Sequence, residues 1–219
     1  MKTICITGAN RGIGLALATL YSKNHQVIAV CREDSVELKE LQNTNIITGI
    51  DINDYHCRES LVDTISQVDI LILNAGILES DQDNLEAHEK SVQHQIQTNA
   101  ISPLILAKMS IPKLSKSAKI MLMTSRMGSQ DDNLTGGLDG YRMSKAALNT
   151  AGCNLAIALQ EHGISVFLVH PGYIRTDMTD HQGRKSPIEA ADNILKLLDK
   201  LTIENTGQFW HSEGYQLPW

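Results

Sequence analysis

With 219 residues, 42% of them hydrophobic and 20% charged, the chain has enough apolar material for one sizeable core and no stretch polar enough to stay disordered. A net charge of −6 argues against nucleic acid or an anionic membrane as partner, since neither offers a counter-charge, and leaves a small molecule as the expected ligand. Nowhere do about 18 apolar residues run together, and the opening stretch from Met1 to Gly8 is too short for a signal peptide, so a cytoplasmic protein that neither crosses a membrane nor is secreted is expected.

Short apolar runs alternate with longer helix-like stretches. The first, Thr3 to Thr7, leads into Gly8-Ala9-Asn10-Arg11-Gly12-Ile13-Gly14, a glycine-rich turn that opens a helix and can admit a pyrophosphate to its backbone N–H groups. The second, Gln26 to Val30, is followed by Cys31 and Arg32. Ile46 to Ile50 precedes Asp51 and Ile52, and Asp69 to Leu73 precedes Asn74-Ala75-Gly76. Lys119 to Met123 precedes Thr124-Ser125, and Ser165 to Val169 leads to Pro171-Gly172. Each run is rich in Ile, Val or Leu without strict polar alternation, as expected of parallel strands covered on both faces. The predicted fold is α/β, a single-domain Rossmann-type doubly wound parallel sheet of about seven strands with helices on both faces. No repeat, low-complexity tract or linker divides 1–219, so one domain is expected.

From Tyr141 to about His162 the pattern is helical, with Ala147, Ala151, Leu155 and Leu159 at i+4 spacing along a face that must be buried. Tyr141 and Lys145 are four apart and project from one side of that helix. A free phenol titrates near ~10, and a neighbouring ammonium is expected to draw it toward neutrality, where general acid–base work is most effective. Cys5, Cys31, Cys57 and Cys153 are far apart and read as reduced thiols. The histidines lack ligand spacing, His88 and His94 falling on different helix faces, so no metal site is expected.

The glycine loop, read as T-G-x-x-x-G-I-G, resembles the fingerprint of the short-chain dehydrogenase/reductase family. Other features of that family come in order along the chain: Asp51, Asn74-Ala75-Gly76, Asn99, Ser125, Tyr141 with Lys145, and Pro171-Gly172-Tyr173-Ile174-Arg175-Thr176 in the place of P-G-x-x-x-T. The resemblance covers nearly the whole chain. It implies a catalytic tetrad of Asn99, Ser125, Tyr141 and Lys145, in which Tyr141 protonates a carbonyl oxygen as hydride arrives from nicotinamide and Ser125 orients that carbonyl. Lys145 would tune Tyr141 and hold the nicotinamide ribose, and Asn99 would keep a water in the proton relay through its backbone. For the cofactor the resemblance implies Gly8, Asn10, Arg11, Gly12, Ile13 and Gly14 at the pyrophosphate, and Asp51 with Ile52 at adenine. Asn74, Ala75 and Gly76 would steady the sheet beside it, Tyr141 and Lys145 would face the nicotinamide end, and Pro171, Gly172, Ile174 and Thr176 would hold the carboxamide.

Ser125 lies 16 residues before Tyr141, about three more than in many relatives, through a loop from Asp131 to Gly137. Ser129 is therefore an alternative catalytic serine, with Ser125 preferred because it is nearer the strand end. This loop, the residues after Tyr141 and the closing Leu217-Pro218-Trp219 resemble the C-factor and sniffer-like carbonyl reductases within the family.

Cys31 and Arg32 stand where NAD-specific folds place a ribose-binding acid, which favours a 2′-phosphate, and Arg11 could add a second guanidinium. NADP(H) is the expected cofactor; NAD(H) stays open because Glu33 lies near the acid's usual distance. About ten residues separate Thr176 from the helix near Ser186, so a short lid and broad tolerance for aldehydes and ketones are expected. An NAD(P)H-binding signalling or redox-sensing protein is the alternative; an extended-family epimerase would need more chain after Pro171. A homo-oligomer through the helices around 101–115 and 141–162 is open.

Overall fold

The apolar runs pair into one seven-stranded sheet in the computed structural model, which describes residues 1–219. The strands are β1 (Thr3–Thr7), β2 (Gln26–Val30), β3 (Thr44–Ile47), β4 (Val68–Leu73), β5 (Leu114–Met123), β6 (Ser165–His170) and β7 (Phe209–His211). Their order is β3-β2-β1-β4-β5-β6-β7, with every neighbouring pair parallel. Between them run α1 (Gly12–Tyr21), α2 (Val36–Lys39), α3 (Tyr55–Thr64), α4 (Leu85–Ile96), α5 (Ser102–Ser110), α6 (Asp139–Gln160) and α7 (Pro187–Lys200), with a π-turn at Gln97–Ile101 joining α4 to α5.

Side chains alternate across the sheet and fill a core on each face. On one, Leu17 of α1 and Ile194 and Leu198 of α7 pack over Ile4, Ile72, Met121 and Phe167. On the other, Leu61 of α3, Leu106 of α5 and Leu155 of α6 cover Cys5, Leu71, Ile120 and Val166. In the predicted i+4 row of α6, Ala151, Leu155 and Leu159 are buried, whereas Ala147 is exposed.

Two strand boundaries differ from the sequence pattern. β3 is Thr44–Ile47 rather than Ile46 to Ile50, because Gly49 turns the chain at φ 76° and donates its N–H to the Arg32 carbonyl at 2.9 Å. β5 starts well before Lys119, crossing a register irregularity against β4 between Val68 and Ile70. β7 has three residues, too few to show as an apolar run, and it is fastened by the tail from Leu217 to Trp219. Leu217 packs with Phe209 and Leu168, the Trp219 ring stacks on Phe209 at 5.6 Å, and the Trp219 carbonyl accepts from the N–H groups of Gln130 and Asp131 at 3.1 and 3.0 Å. The tail thereby braces the loop behind Ser125. No helix is long and apolar enough to cross a membrane.

Strand order reverses between β1 and β4, so the crevice at the carboxyl ends of these strands is where a doubly wound sheet receives a ligand.

Candidate active site

The glycine loop lies on one side of that crevice. Gly8 adopts φ 66°, and a Cβ at Gly14 would lie 2.0 Å from the Gly8 carbonyl oxygen, so the turn into α1 closes only with hydrogen at that position. Arg11 is the N-cap of α1 yet offers no side-chain bond, and the first turn holds no acid. The leading N–H groups of α1 are thus left for an anion, in the field of the helix dipole, which fits the pyrophosphate of a dinucleotide.

The Asn74-Ala75-Gly76 turn is stitched to this loop. Thr7 Oγ1 accepts from the backbone N–H groups of Asn74 and Ala75 at 3.1 and 3.2 Å, and Asn74 Nδ2 donates to the carbonyls of Thr7 and Gly8 at 3.0 and 3.2 Å. Asn74 therefore ties two loops across the crevice. Asp51, by contrast, is exposed and forms a turn, its Oδ1 accepting from the Asn53 N–H at 2.9 Å, while the Ile52 carbonyl accepts from the buried Arg58. Arg32 is exposed past the end of β2. Arg11 forms an exposed pair with Asp177 at 2.8 Å, a contact weak enough for a phosphate to displace.

Four expected residues converge deeper in the crevice. Asn99, Ser125, Tyr141 and Lys145 are all buried. Lys145 Nζ lies 5.5 Å from the centre of the Tyr141 ring and donates to the Met123 carbonyl at 2.9 Å. A Cβ at Gly76 would lie 2.9 Å from Asn99 Oδ1 and 3.6 Å from Lys145 Nζ, which places Asn99 and Lys145 together beside the same turn. The Asn99 side chain also accepts from the Ile77 N–H and donates to the Ile77 carbonyl, each at 2.8 Å, and donates to Ser144 Oγ at 3.0 Å. The Ser125 hydroxyl accepts from the Met127 N–H at 3.1 Å and is near enough to the Tyr141 phenol to pull its pKa down. Ser129 is used otherwise, accepting from the Asp132 N–H at 3.1 Å in the loop beyond. Of the two serines, Ser125 is the one beside the tyrosine.

The electrostatics differ from the sequence expectation. Burial pushes the Tyr141 phenol up to about 12, the bond from Ser125 being the one influence that pulls it down. Burial pushes Lys145 from 10.5 down to about 8. Lys145 does not dominate the phenol here; desolvation does. An ammonium so depressed costs the fold ~3 kcal/mol at neutral pH. Because the unfolded chain holds that proton more tightly, the cost is full below about pH 8 and fades as pH rises toward 10.5. Lys145→Met is expected to raise Tm at pH 7 by roughly 5 °C, read by calorimetry, and an unchanged Tm would show that the buried charge is compensated.

On the far wall, Ser212 Oγ donates to the Pro171 carbonyl at 2.9 Å, and Gly172 takes φ 99°. Ile174 is buried, and Thr176 Cγ2 lies 3.3 Å from the position of a Cβ on Gly12, so the Pro171 to Thr176 segment packs on the glycine loop. The segment then makes a short loop whose base is closed by Arg175 N–H to Lys185 O at 2.9 Å and Arg184 N–H to Tyr173 O at 2.8 Å.

Two features were not read from the sequence. His170 is 8% exposed, sits on the same sheet face as Val166 and Leu168, and its Nδ1 has no partner. Its position before Pro171 was a usable signal. Asp81, His88 and Asp139 bring three ligand-type atoms within 4.8 Å of one another; Asp81 already accepts two backbone N–H groups there. No local pattern announces that meeting.

The pattern of the short chain dehydrogenase family matches residues 2–187. The chain is 35% identical to 1-hydroxy-2-glutathionyl-2-methyl-3-butene dehydrogenase of Rhodococcus sp. (strain AD45) across the full length of both. Its fold superposes on the carbonyl reductase Sniffer of D. melanogaster with a TM-score of 0.91 at 28% identity, covering 100% of both chains. It superposes on the NADPH-bound carbonyl reductase from chicken fatty liver with a TM-score of 0.89 at 28% identity, covering 100% of this chain and 99% of the other. A family pattern across most of the chain, joined to this crevice, establishes that the chain belongs to the short-chain dehydrogenases.

Proposed function

We propose that the chain reduces aldehydes or ketones with NADPH, Tyr141 donating the proton. The observation that carries this is the meeting of Tyr141, Ser125, Lys145 and Asn99 beside the Gly76 turn, at the point where strand order reverses. The likeness to the NADPH-bound reductase from chicken supports the cofactor.

Gly8, Asn10, Arg11, Gly12, Ile13 and Gly14 would hold the pyrophosphate and Arg32 the 2′-phosphate. Asp51 and Ile52 would border adenine, and Pro171, Gly172, Ile174 and Thr176 the carboxamide. Reduced nicotinamide supplies the hydride when bound. The chain's own work is to orient the carbonyl by the Ser125 hydroxyl and to give it the Tyr141 Oη proton. A phenol held near 12 is in its donor form at every physiological pH, which suits reduction. Lys145 keeps positive charge beside the phenol as the proton leaves, and Asn99 fixes the Ile77 backbone at the edge of the site.

The short, base-closed loop after Thr176 leaves room for varied carbonyls. NADPH absorbance followed over a panel of aldehydes, ketones and quinones tests the reading: turnover of several supports it, and tight NADPH binding without turnover would favour the sensing alternative. The buried tetrad speaks against a sensor, since binding alone needs no proton donor. Arg32→Asp is expected to lower the preference for NADPH over NADH at least about tenfold in kcat/KM, and an unchanged ratio would move the 2′-phosphate to Arg11. A second copy would dock along α6 and the turn entering α5, where Met143 and Ile157 of α6 and Ile101 of the turn are exposed.

A further inference from the structure

Helix α6 carries Tyr141 and Lys145 yet has no cap of its own. Its N-cap residue, Leu138, stands at φ 55° and has no side chain able to accept a hydrogen bond. The two residues before it, Gly136 and Gly137, also have positive φ, at 64° and 70°, so no regular structure leads into the helix. The cap comes from a distant segment. Asp81 Oδ2 accepts from the Leu138 N–H at 2.6 Å, and its Oδ1 accepts from the Asp139 N–H at 2.9 Å. A carboxylate facing two main-chain donors at a helix start satisfies both and complements the dipole.

Asp81 is itself held. Its segment leaves the Asn74-Ala75-Gly76 turn and is pinned along its length. Ile77 exchanges bonds with Asn99, and the Glu79 N–H donates to Gln95 Oε1 at 3.1 Å. The Glu79 carboxylate accepts from Ser91 Oγ at 2.6 Å and meets His94 Nδ1 at 2.8 Å. The Gln82 N–H donates to His88 Nδ1 at 3.3 Å, and His88 Nε2 faces Asp139 at 3.5 Å. Residues 77–82 thus form a strap from the Asn74-Ala75-Gly76 turn, across α4, to the first turn of α6. Tyr141 comes two residues after the second N–H that Asp81 receives.

We propose that Asp81 is a positioning residue for Tyr141, its carboxylate setting where the first turn of α6 begins and so where the phenol stands relative to Ser125. This rests on Tyr141 being the proton donor. A cap with a purely structural role would lower stability and leave turnover per folded molecule unchanged.

The test compares full-length wild type with Asp81→Ala and Asp81→Asn, each assayed well below its own Tm; Asn retains one acceptor oxygen should Ala fail to fold. Expected for Asp81→Ala is a kcat about tenfold lower on an aldehyde, with KM and the NADPH Kd within about twofold, and a smaller loss for Asp81→Asn. The independent readout is the 19F spectrum of protein carrying 3-fluorotyrosine, the Tyr141 signal being assigned with Tyr141→Phe. It should move in Asp81→Ala and move less in Asp81→Asn. A kcat within about twofold of wild type, or a Tyr141 signal that stays put, overturns the proposal. If wild type turns over no carbonyl, a displaced Tyr141 signal still upholds the role of Asp81 and it is the reductase reading that fails.

Discussion

Tyr141→Phe should lower kcat for carbonyl reduction about 10³-fold while leaving the NADPH Kd nearly unchanged. The substitution removes one oxygen from a buried ring and keeps the rest of the packing. Lys145 retains its bond to the Met123 carbonyl and Asn99 its bonds to Ile77, so the cofactor turn is untouched. The proton donor disappears, while Ser125 keeps its bond from the Met127 N–H. Two neighbouring hydroxyls are engaged elsewhere: Ser144 Oγ donates to the Tyr141 carbonyl at 2.7 Å and receives Asn99, and Thr124 Oγ1 donates to Asn149 at 2.6 Å. Stopped-flow or steady-state absorbance of NADPH, paired with a fluorescence titration of cofactor binding, measures both quantities. A mutant retaining more than about a tenth of wild-type turnover would mean that the proton comes from elsewhere, water included.

Gly14→Ala should weaken NADPH binding at least about 100-fold and lower Tm as well. The added carbon would fall 2.0 Å from the Gly8 carbonyl oxygen, 2.8 Å from the carbon bearing it and 2.7 Å from Asn74 Nδ2. Two of those atoms are backbone and the third is fastened to Thr7 and Gly8, so relief requires the loop to open. An opened loop no longer aims the start of α1. Gly163→Ala is the control: Gly163 has φ 72° but nothing within 4 Å, so its cost is backbone strain of ~1 kcal/mol, with NADPH affinity preserved. Equal loss of affinity in both variants would show that Gly14 acts through global stability alone.

The sheet was legible because each central strand must be apolar on both faces, which leaves an unbroken run such as Ile4 to Ile6 or Val166 to Val169. The glycine loop and the Tyr141–Lys145 spacing were legible because their chemistry is local, contained within one turn or one helix. β7 was not, since three residues carry no periodicity and its burial comes from Leu217 and Trp219 beyond it. The shift of the phenol to about 12 was not legible either: the sequence places an ammonium four residues away, but only the fold says how much water is removed from both. Asp81 lies at the far limit, in a cap whose donor and acceptor are 57 and 58 residues apart.

The bracing of the Ser125 loop by Trp219 sets an order in time. During synthesis the first six strands can pair while the tail is still being made, since every crossover among them is complete by His170. The Gln130 and Asp131 N–H groups find their acceptor only when residue 219 has left the ribosome. Until then the loop behind Ser125 lacks that fastening, although the strand that carries Ser125 at its end already has both its neighbours in the sheet.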